Sequence, residues 1–134
     1  MEDIFVARLM STDLVTVTAD TLVEDAAQLI LDNNISSLIV VDDENNLEGI
    51  LTTTDFVTIV AKSQPKAETT VERYMTTDVM TADAQDPIAD VAEAMTSHGF
   101  HHMPVVDDEE GVIGIITTSD LAAYVSQVGR ITTA

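Results

Sequence analysis

The chain has 134 residues, 46 % of them hydrophobic, with 24 Asp and Glu against 5 Lys and Arg and a formal charge of −19 at pH 7. That apolar content supports a packed interior rather than disorder, and so negative a surface repels phosphate backbones and anionic lipids, which argues against nucleic-acid and membrane partners. The absence of cysteine removes disulfides, thiolate nucleophiles and Cys-ligated zinc together, and no apolar run approaches the roughly 20 residues that span a bilayer.

Met1-Glu2-Asp3 lacks the basic start of a secretory signal, so a cytoplasmic protein is expected. Val15-Thr16-Val17 is a short alternating strand, and Thr21-Leu22-Val23-Glu24 has the form of a capping box opening a helix to about Asn33. Leu22, Ala26, Leu29 and Ile30 give that helix one apolar stripe. Leu38 to Val41 reads as a buried strand, Asp42 to Asn46 as a turn, and Leu47 to Leu51 as the partner strand. A closing helix follows, with Phe56, Ile59 and Val60 facing inward. Farther along, the same order of elements returns. Asp86-Pro87 is N-cap and first helical residue, Ile88, Val91, Ala92 and Met95 form the stripe, and Met103 to Val106 pairs with Val112 to Ile116.

A shift of 65 residues superposes the sequence on itself without a gap. Val6, Arg8, Met10, Thr12 and Asp13 fall on Val71, Arg73, Met75, Thr77 and Asp78. Val40 to Glu44 falls on Val105 to Glu109, and Gly49 to Asp55 on Gly114 to Asp120. The chain is a tandem duplication of a β-α-β-β-α unit, repeats 1–64 and 65–134, with the boundary in Ser63-Gln64-Pro65-Lys66. The fold class is α/β (α+β), and packing of the repeats about a pseudo-two-fold axis gives two small units a shared interior.

The doubled Gly-h-h-Thr-x-x-Asp motif, the Met103-Pro104-Val105-Val106-Asp107 strand entry and the Met10 and Met75 segments resemble a CBS-domain pair, or Bateman module, over residues 4 to 128. The resemblance implies a regulatory module without catalytic activity and without a covalent cofactor. Its ligand would be an adenosine nucleotide (AMP, ADP or ATP) or S-adenosylmethionine, held in clefts between the repeats. The motif Asp of one repeat would hold the ribose, and the partner repeat would supply the adenine wall and any cations. One cleft would then use Asp55, Thr52 and Thr54 against Met80 and Phe100, with Arg73, His101 and His102 at the anionic end. The other would use Asp120, Thr117 and Ser119 against Val15, Ile35 and Ser36, with Arg8. The second departs from the family at Ile39, where the first has Pro104. The resemblance further implies a homodimer through the closing helices, with Phe56, Ile59, Leu121 and Tyr124 at the interface, and an effector protein reached in trans. The acidity adds the expectation of a halophilic archaeal source, since about 1 M salt screens like charges to about 3 Å.

Physical chemistry supports the same residues. A vicinal diol offers two donors to one carboxylate, and the motif opens a helix whose first amides favour a phosphate. The same Thr and Asp also fit a helix N-cap and its carboxylate at N3; the two roles are compatible. His98, His101 and His102 are the three histidines of the chain; they could face a phosphate, face solvent, or ligate a metal ion, for which no Cys assists. The six Met are core by spacing. No nucleophile elbow, GxGxxG or P-loop occurs. The alternatives are a structural dimerisation module with empty clefts and a metal-binding protein built on the histidines.

Overall fold

The computed structural model describes residues 4–62 and 68–132. Elements run α1 (Val6–Leu9), β1 (Thr16–Val17), α2 (Val23–Asn33), β2 (Ser37–Val41), β3 (Leu47–Thr52), α3 (Thr53–Ala61), a 3-10 turn (Val71–Arg73), α4 (Ile88–His98), β4 (His102–Asp107), β5 (Gly111–Thr117) and α5 (Thr118–Thr132). β1, β2 and β3 form one sheet, with β1 parallel to β2 and β2 antiparallel to β3. β4 and β5 form an antiparallel pair. The expected first strand of the second repeat is reduced to a single parallel bridge, Ala82 to Val105.

Two compact units cut across the sequence repeats. One is continuous, Leu14–Val79; the other is split, joining the residues through Asp13 to those from Met80 onward. The repeat boundary at Ser63–Lys66 lies outside the described residues. In each unit the segment that leads one repeat packs on the body of the other. Within the split unit, Val6 N–H donates to the Asp86 carbonyl at 2.9 Å, and Ile88 N–H to the Ile4 carbonyl at 2.8 Å. Within the continuous unit, Val71 N–H donates to Thr21 O at 2.8 Å and Val23 N–H to Thr69 O at 2.9 Å. These are the same bonds at an offset of 65.

Burial follows the exchange. Val6, fully buried, joins Ala82, Val91, Met95, Met103, Val105 and Ile116 in the core of the split unit. Val71, also fully buried, joins Val17, Ala26, Ile30, Leu38, Val40 and Leu51 in the continuous one. Each lead segment also crosses a hairpin glycine. Thr76 and Ile50 exchange two backbone hydrogen bonds (2.9 and 3.0 Å), as do Ser11 and Ile115 (2.8 and 3.0 Å).

The exchange corrects several expectations. Neither helix begins with a side-chain cap: the N-caps are Leu22 and Pro87, one residue beyond Thr21 and Asp86. The first amides of α2 and α4 are satisfied instead by the lead segments, through Thr69 and Ile4. Thr21 Oγ1 accepts from Thr18 N–H at 3.3 Å, and Asp86 Oδ2 from Asp83 N–H at 2.9 Å. The buried stripe of α2 is therefore Val23, Ala26 and Ile30, while Leu22 is exposed. In α3, Val60 is 69 % exposed rather than inward, and Ile59 is 2 % exposed and belongs to the core. Phe56 and Leu121 pack partly against their own cores. Among the described residues, the large apolar side chains that the closing helices leave open are Val57, Val60 and Val125. Both α2 and α4 stop at a left-handed C-cap, Asn34 (φ 52°) and Gly99 (φ 72°).

Candidate functional site

The two Gly-h-h-Thr-x-x-Asp segments fold alike. β3 delivers Thr52 to the start of α3, where Asp55 Oδ2 accepts from the Thr52 N–H at 2.8 Å and from its hydroxyl at 3.2 Å. β5 delivers Thr117 to the start of α5, where Asp120 Oδ2 accepts from the Thr117 N–H at 2.9 Å and from its hydroxyl at 3.1 Å. Asp120 N–H returns a bond to Thr117 Oγ1 at 3.3 Å. The motif carboxylates thus cap their helices. Oδ1 of each takes no part in these bonds, which leaves an acceptor for a donor from outside. Both Asp residues are half-buried, and Thr54 and Ser119, beside them in the first helical turn, are exposed.

A backbone link ties each motif to the residues before its own hairpin. Thr53 N–H donates to Ser36 O, and Thr118 N–H to His101 O, both at 3.0 Å. In register, Ser37 lies opposite Thr52 and His102 opposite Thr117. Direct cross-strand partners share a sheet face, with Cβ atoms about 5 Å apart. The split unit therefore gathers Thr117, Ser119, Asp120, His101 and His102, and also holds Arg8, Met80 and Phe100. The continuous unit gathers Thr52, Thr54, Asp55 and Ser36, and also holds Val15, Ile35 and Arg73. Val15 and Ile35 pack on the core of the continuous unit, and Met80 on that of the split unit. Each ligand set that the resemblance implies draws residues from both units.

The adjacent imidazoles differ. His101 is exposed and His102 half-buried. Burial, and then the charge of His101, hold the His102 ring below the ordinary histidine range. His98 Nδ1 lies 3.0 Å from the Ala94 carbonyl, and its ring stacks on Phe100 at 6.1 Å. The Arg73 guanidinium sits over the Tyr74 ring at 5.9 Å, a contact that the sequence reading did not anticipate. Among the described residues no three His, Asp or Glu side chains are grouped to hold a metal ion, and no helix is long and apolar enough to cross a membrane.

The hairpin carboxylates have a structural task. Asp42 Oδ1 accepts from the Glu44 and Asn46 amides, both at 2.9 Å, and Asp107 Oδ2 from those of Glu109 and Glu110, both at 2.9 Å. Those backbone donors, Asn46 and Glu110 first, hold both carboxyls below the ordinary aspartate value.

Comparison with known proteins bears on the family and the fold. The family model described as CBS domain covers residues 6–62 and 71–127. Over 121 residues the chain is 35 % identical to a homoserine O-acetyltransferase of Methanosalsum zhilinae, covering 90 % of this chain and 24 % of that protein. The chain thus spans about a quarter of the length of that relative. It is 31 % identical over 117 residues to a 17.7 kDa protein of Acidianus ambivalens, covering 87 % of this chain and 70 % of that one. The crystal structure of the CBS-domain pair of protein MJ0100, in complex with 5′-methylthioadenosine and S-adenosylmethionine, superposes with a TM-score of 0.87 at 29 % identity, covering 94 % and 98 % of the two chains. Two matched repeats on this fold place the chain in the CBS-domain family, as a tandem pair.

Proposed function

We propose that this chain is a regulatory sensor of an adenosine-containing ligand, with no chemistry of its own. The observation that carries the reading is the twofold Thr-x-x-Asp turn. In each, one carboxylate oxygen caps the helix and the other is left out of the capping bonds, beside a helix N-terminus. A ribose diol supplies two donors to such a carboxylate, and a 5′ anion is favoured by the first-turn amides. The similarity to a pair crystallised with two adenosine derivatives supports the ligand class. Ile35 and Phe100, each just before a hairpin, are the apolar candidates for the adenine.

A thermal-shift series in about 2 M KCl tests this with 5′-methylthioadenosine, S-adenosylmethionine, AMP, ADP, ATP and GTP. A ligand at 100 times its dissociation constant adds about 2.7 kcal/mol to the folded state, which raises the midpoint by roughly 4–8 °C. The expected result is a shift with adenosine ligands and none with GTP. Asp55→Ala and Asp120→Ala should each remove part of the shift, and their combination all of it. A panel without any shift would leave a dimerisation module as the surviving reading.

The ligand would act by a population shift, biasing the relative arrangement of two copies of the chain in a cytoplasmic complex with an effector protein. The open side chains Val57 and Val60 of α3 and Val125 of α5 are the faces through which copies would associate. Sedimentation velocity should give twice the mass of the chain, and the monomer mass for Val60→Asp with Val125→Asp. A monomeric wild type would remove the dimer from the scheme.

A further inference from the structure

The chain holds six methionines and no cysteine, so its thioethers are the sulfur on which a peroxide can act. They are seated differently. Met95 and Met103 are buried, at 3 % and 1 % exposure, in the core of the split unit. Met10 and Met75, at equivalent places in the two repeats, are half-buried, and each lies on a hairpin glycine of its own unit. A Cβ on Gly114 would stand 2.8 Å from the Met10 sulfur and 3.2 Å from its Cγ. One on Gly49 would stand 3.0 Å from the Met75 sulfur and 3.1 Å from its Cγ. Each thioether thus fills the space that a glycine leaves by having no side chain.

That seat keeps a strand edge closed. Met10 precedes Ser11, which exchanges two backbone hydrogen bonds with Ile115 of β5; Met75 precedes Thr76, which exchanges two with Ile50 of β3. β3 stands at the edge of its sheet and β5 has β4 as its one sheet neighbour, so the lead segments pair strand groups that would otherwise meet water. A thioether rests on a glycine Cα without needing a polar partner. A sulfoxide carries a strongly accepting oxygen, for which the Cα offers no donor. Its hydrogen bonds come from water, so the oxidised side chain leaves the seat and water reaches the paired amides.

We propose that Met10 and Met75 are a pair of reversible modification sites for a peroxide, and that their oxidation releases the two lead segments from the hairpin edges. The sulfur lone pair attacks one oxygen of hydrogen peroxide and the O–O bond breaks. Water leaves, and the sulfur is oxidised by two electrons. A thiol-dependent methionine sulfoxide reductase restores the thioether, the oxygen departing as water while two thiols close to a disulfide. Ile50 and Ile115 stand two residues before Thr52 and Thr117, so the release loosens the strands that carry both helix-start turns.

Amide hydrogen exchange of the full chain, followed by NMR before and after hydrogen peroxide and paired with peptide mass mapping, tests the assignment. Met10 and Met75 should gain oxygen before the buried Met95 and Met103. Exchange at Ser11, Ile115, Ile50 and Thr76 should quicken about tenfold, as for the loss of a half-buried apolar contact, and should slow again with the reductase. Met10→Leu should abolish the response at Ser11 and Ile115 and keep it at Ile50 and Thr76; Met75→Leu should do the converse. Met10→Gln and Met75→Gln, each polar at the place of the sulfoxide, should quicken the same amides without peroxide, which keeps the test decisive if a leucine variant folds poorly. Oxidation of the buried pair first, exchange unchanged with Met10 and Met75 oxidised, or a response that survives in both leucine variants would overturn the proposal. Exchange that stays fast once the thioethers are restored would overturn it too, since it reports damage rather than a reversible site.

Discussion

Gly49→Ala is expected to cost about 3–4 kcal/mol of unfolding free energy, and Gly114→Ala about 1–2 kcal/mol, although the two occupy the same place in the two repeats. Neither glycine needs a positive φ; what each needs is room. A Cβ on Gly49 would stand 2.7 Å from the Thr76 carbonyl oxygen, a backbone atom that is itself bonded to Ile50. It cannot be relieved by a rotamer change, so the lead segment must lift and strain both bonds between Thr76 and Ile50. A Cβ on Gly114 would meet the Met10 sulfur first, at 2.8 Å, and the Ser11 carbonyl at 3.0 Å. Met10 is flexible and half-buried, so its thioether can swing aside and leave only the milder backbone contact. Urea unfolding of both variants measures the difference. Equal costs would mean that the methionines, rather than the backbone, set the spacing of the lead segments.

Raising KCl from 0.1 to 2 M is expected to raise the melting temperature by on the order of 10 °C. Two carboxylates about 10 Å apart in water repel by about 0.4 kcal/mol, and a net charge of −19 on 134 residues sums many such pairs. The folded state holds them closer together than the unfolded chain does. Screening over about 10 Å at 0.1 M shrinks to about 3 Å at 1 M, so most of that repulsion disappears. A melting temperature indifferent to salt would show that the acidic surface is already offset locally. The stability of the protein would then owe nothing to a salt-rich surrounding.

The duplication, the hairpins, the motif turns and the end of the first long helix near Asn33 were legible in the sequence because each rests on local pattern. An apolar run such as Leu38–Val41 and an acidic turn such as Asp42–Asn46 announce themselves within five residues. The lead segments were not legible. Thr21-x-x-Glu24 and Asp86-Pro87 satisfy the local rules for a cap, but the amides they would serve are taken by Thr69 and Ile4, far off in the chain. Val60 lies outward for a related reason: Ile59, with Phe56 a turn before it, takes the inward positions of α3, and the helical period then turns Val60 to solvent. At the motifs, the carboxylates and hydroxyls were visible by spacing. Their nearest neighbours, Ser36 and Ser37 or His101 and His102, follow only from hairpin register, which pairs Ser37 with Thr52 and His102 with Thr117.

The exchange of lead segments also sets an order of events during synthesis. The unit spanning Leu14–Val79 is built from one continuous stretch of chain, so its internal contacts can close as soon as that stretch has left the ribosome. The other has its first strap, through Asp13, made early and its partners from Met80 onward made late. At about 5–20 residues per second, Val6 waits several seconds for the pocket it fills. A gene cut at the repeat boundary would separate Val6 from Ala82, Val91 and Met95, and would separate Val71 from Val17 and Leu38. Each half would carry a strap for a body it does not have, so recombination that shuffles single repeats is penalised, while recombination that moves the pair intact is not.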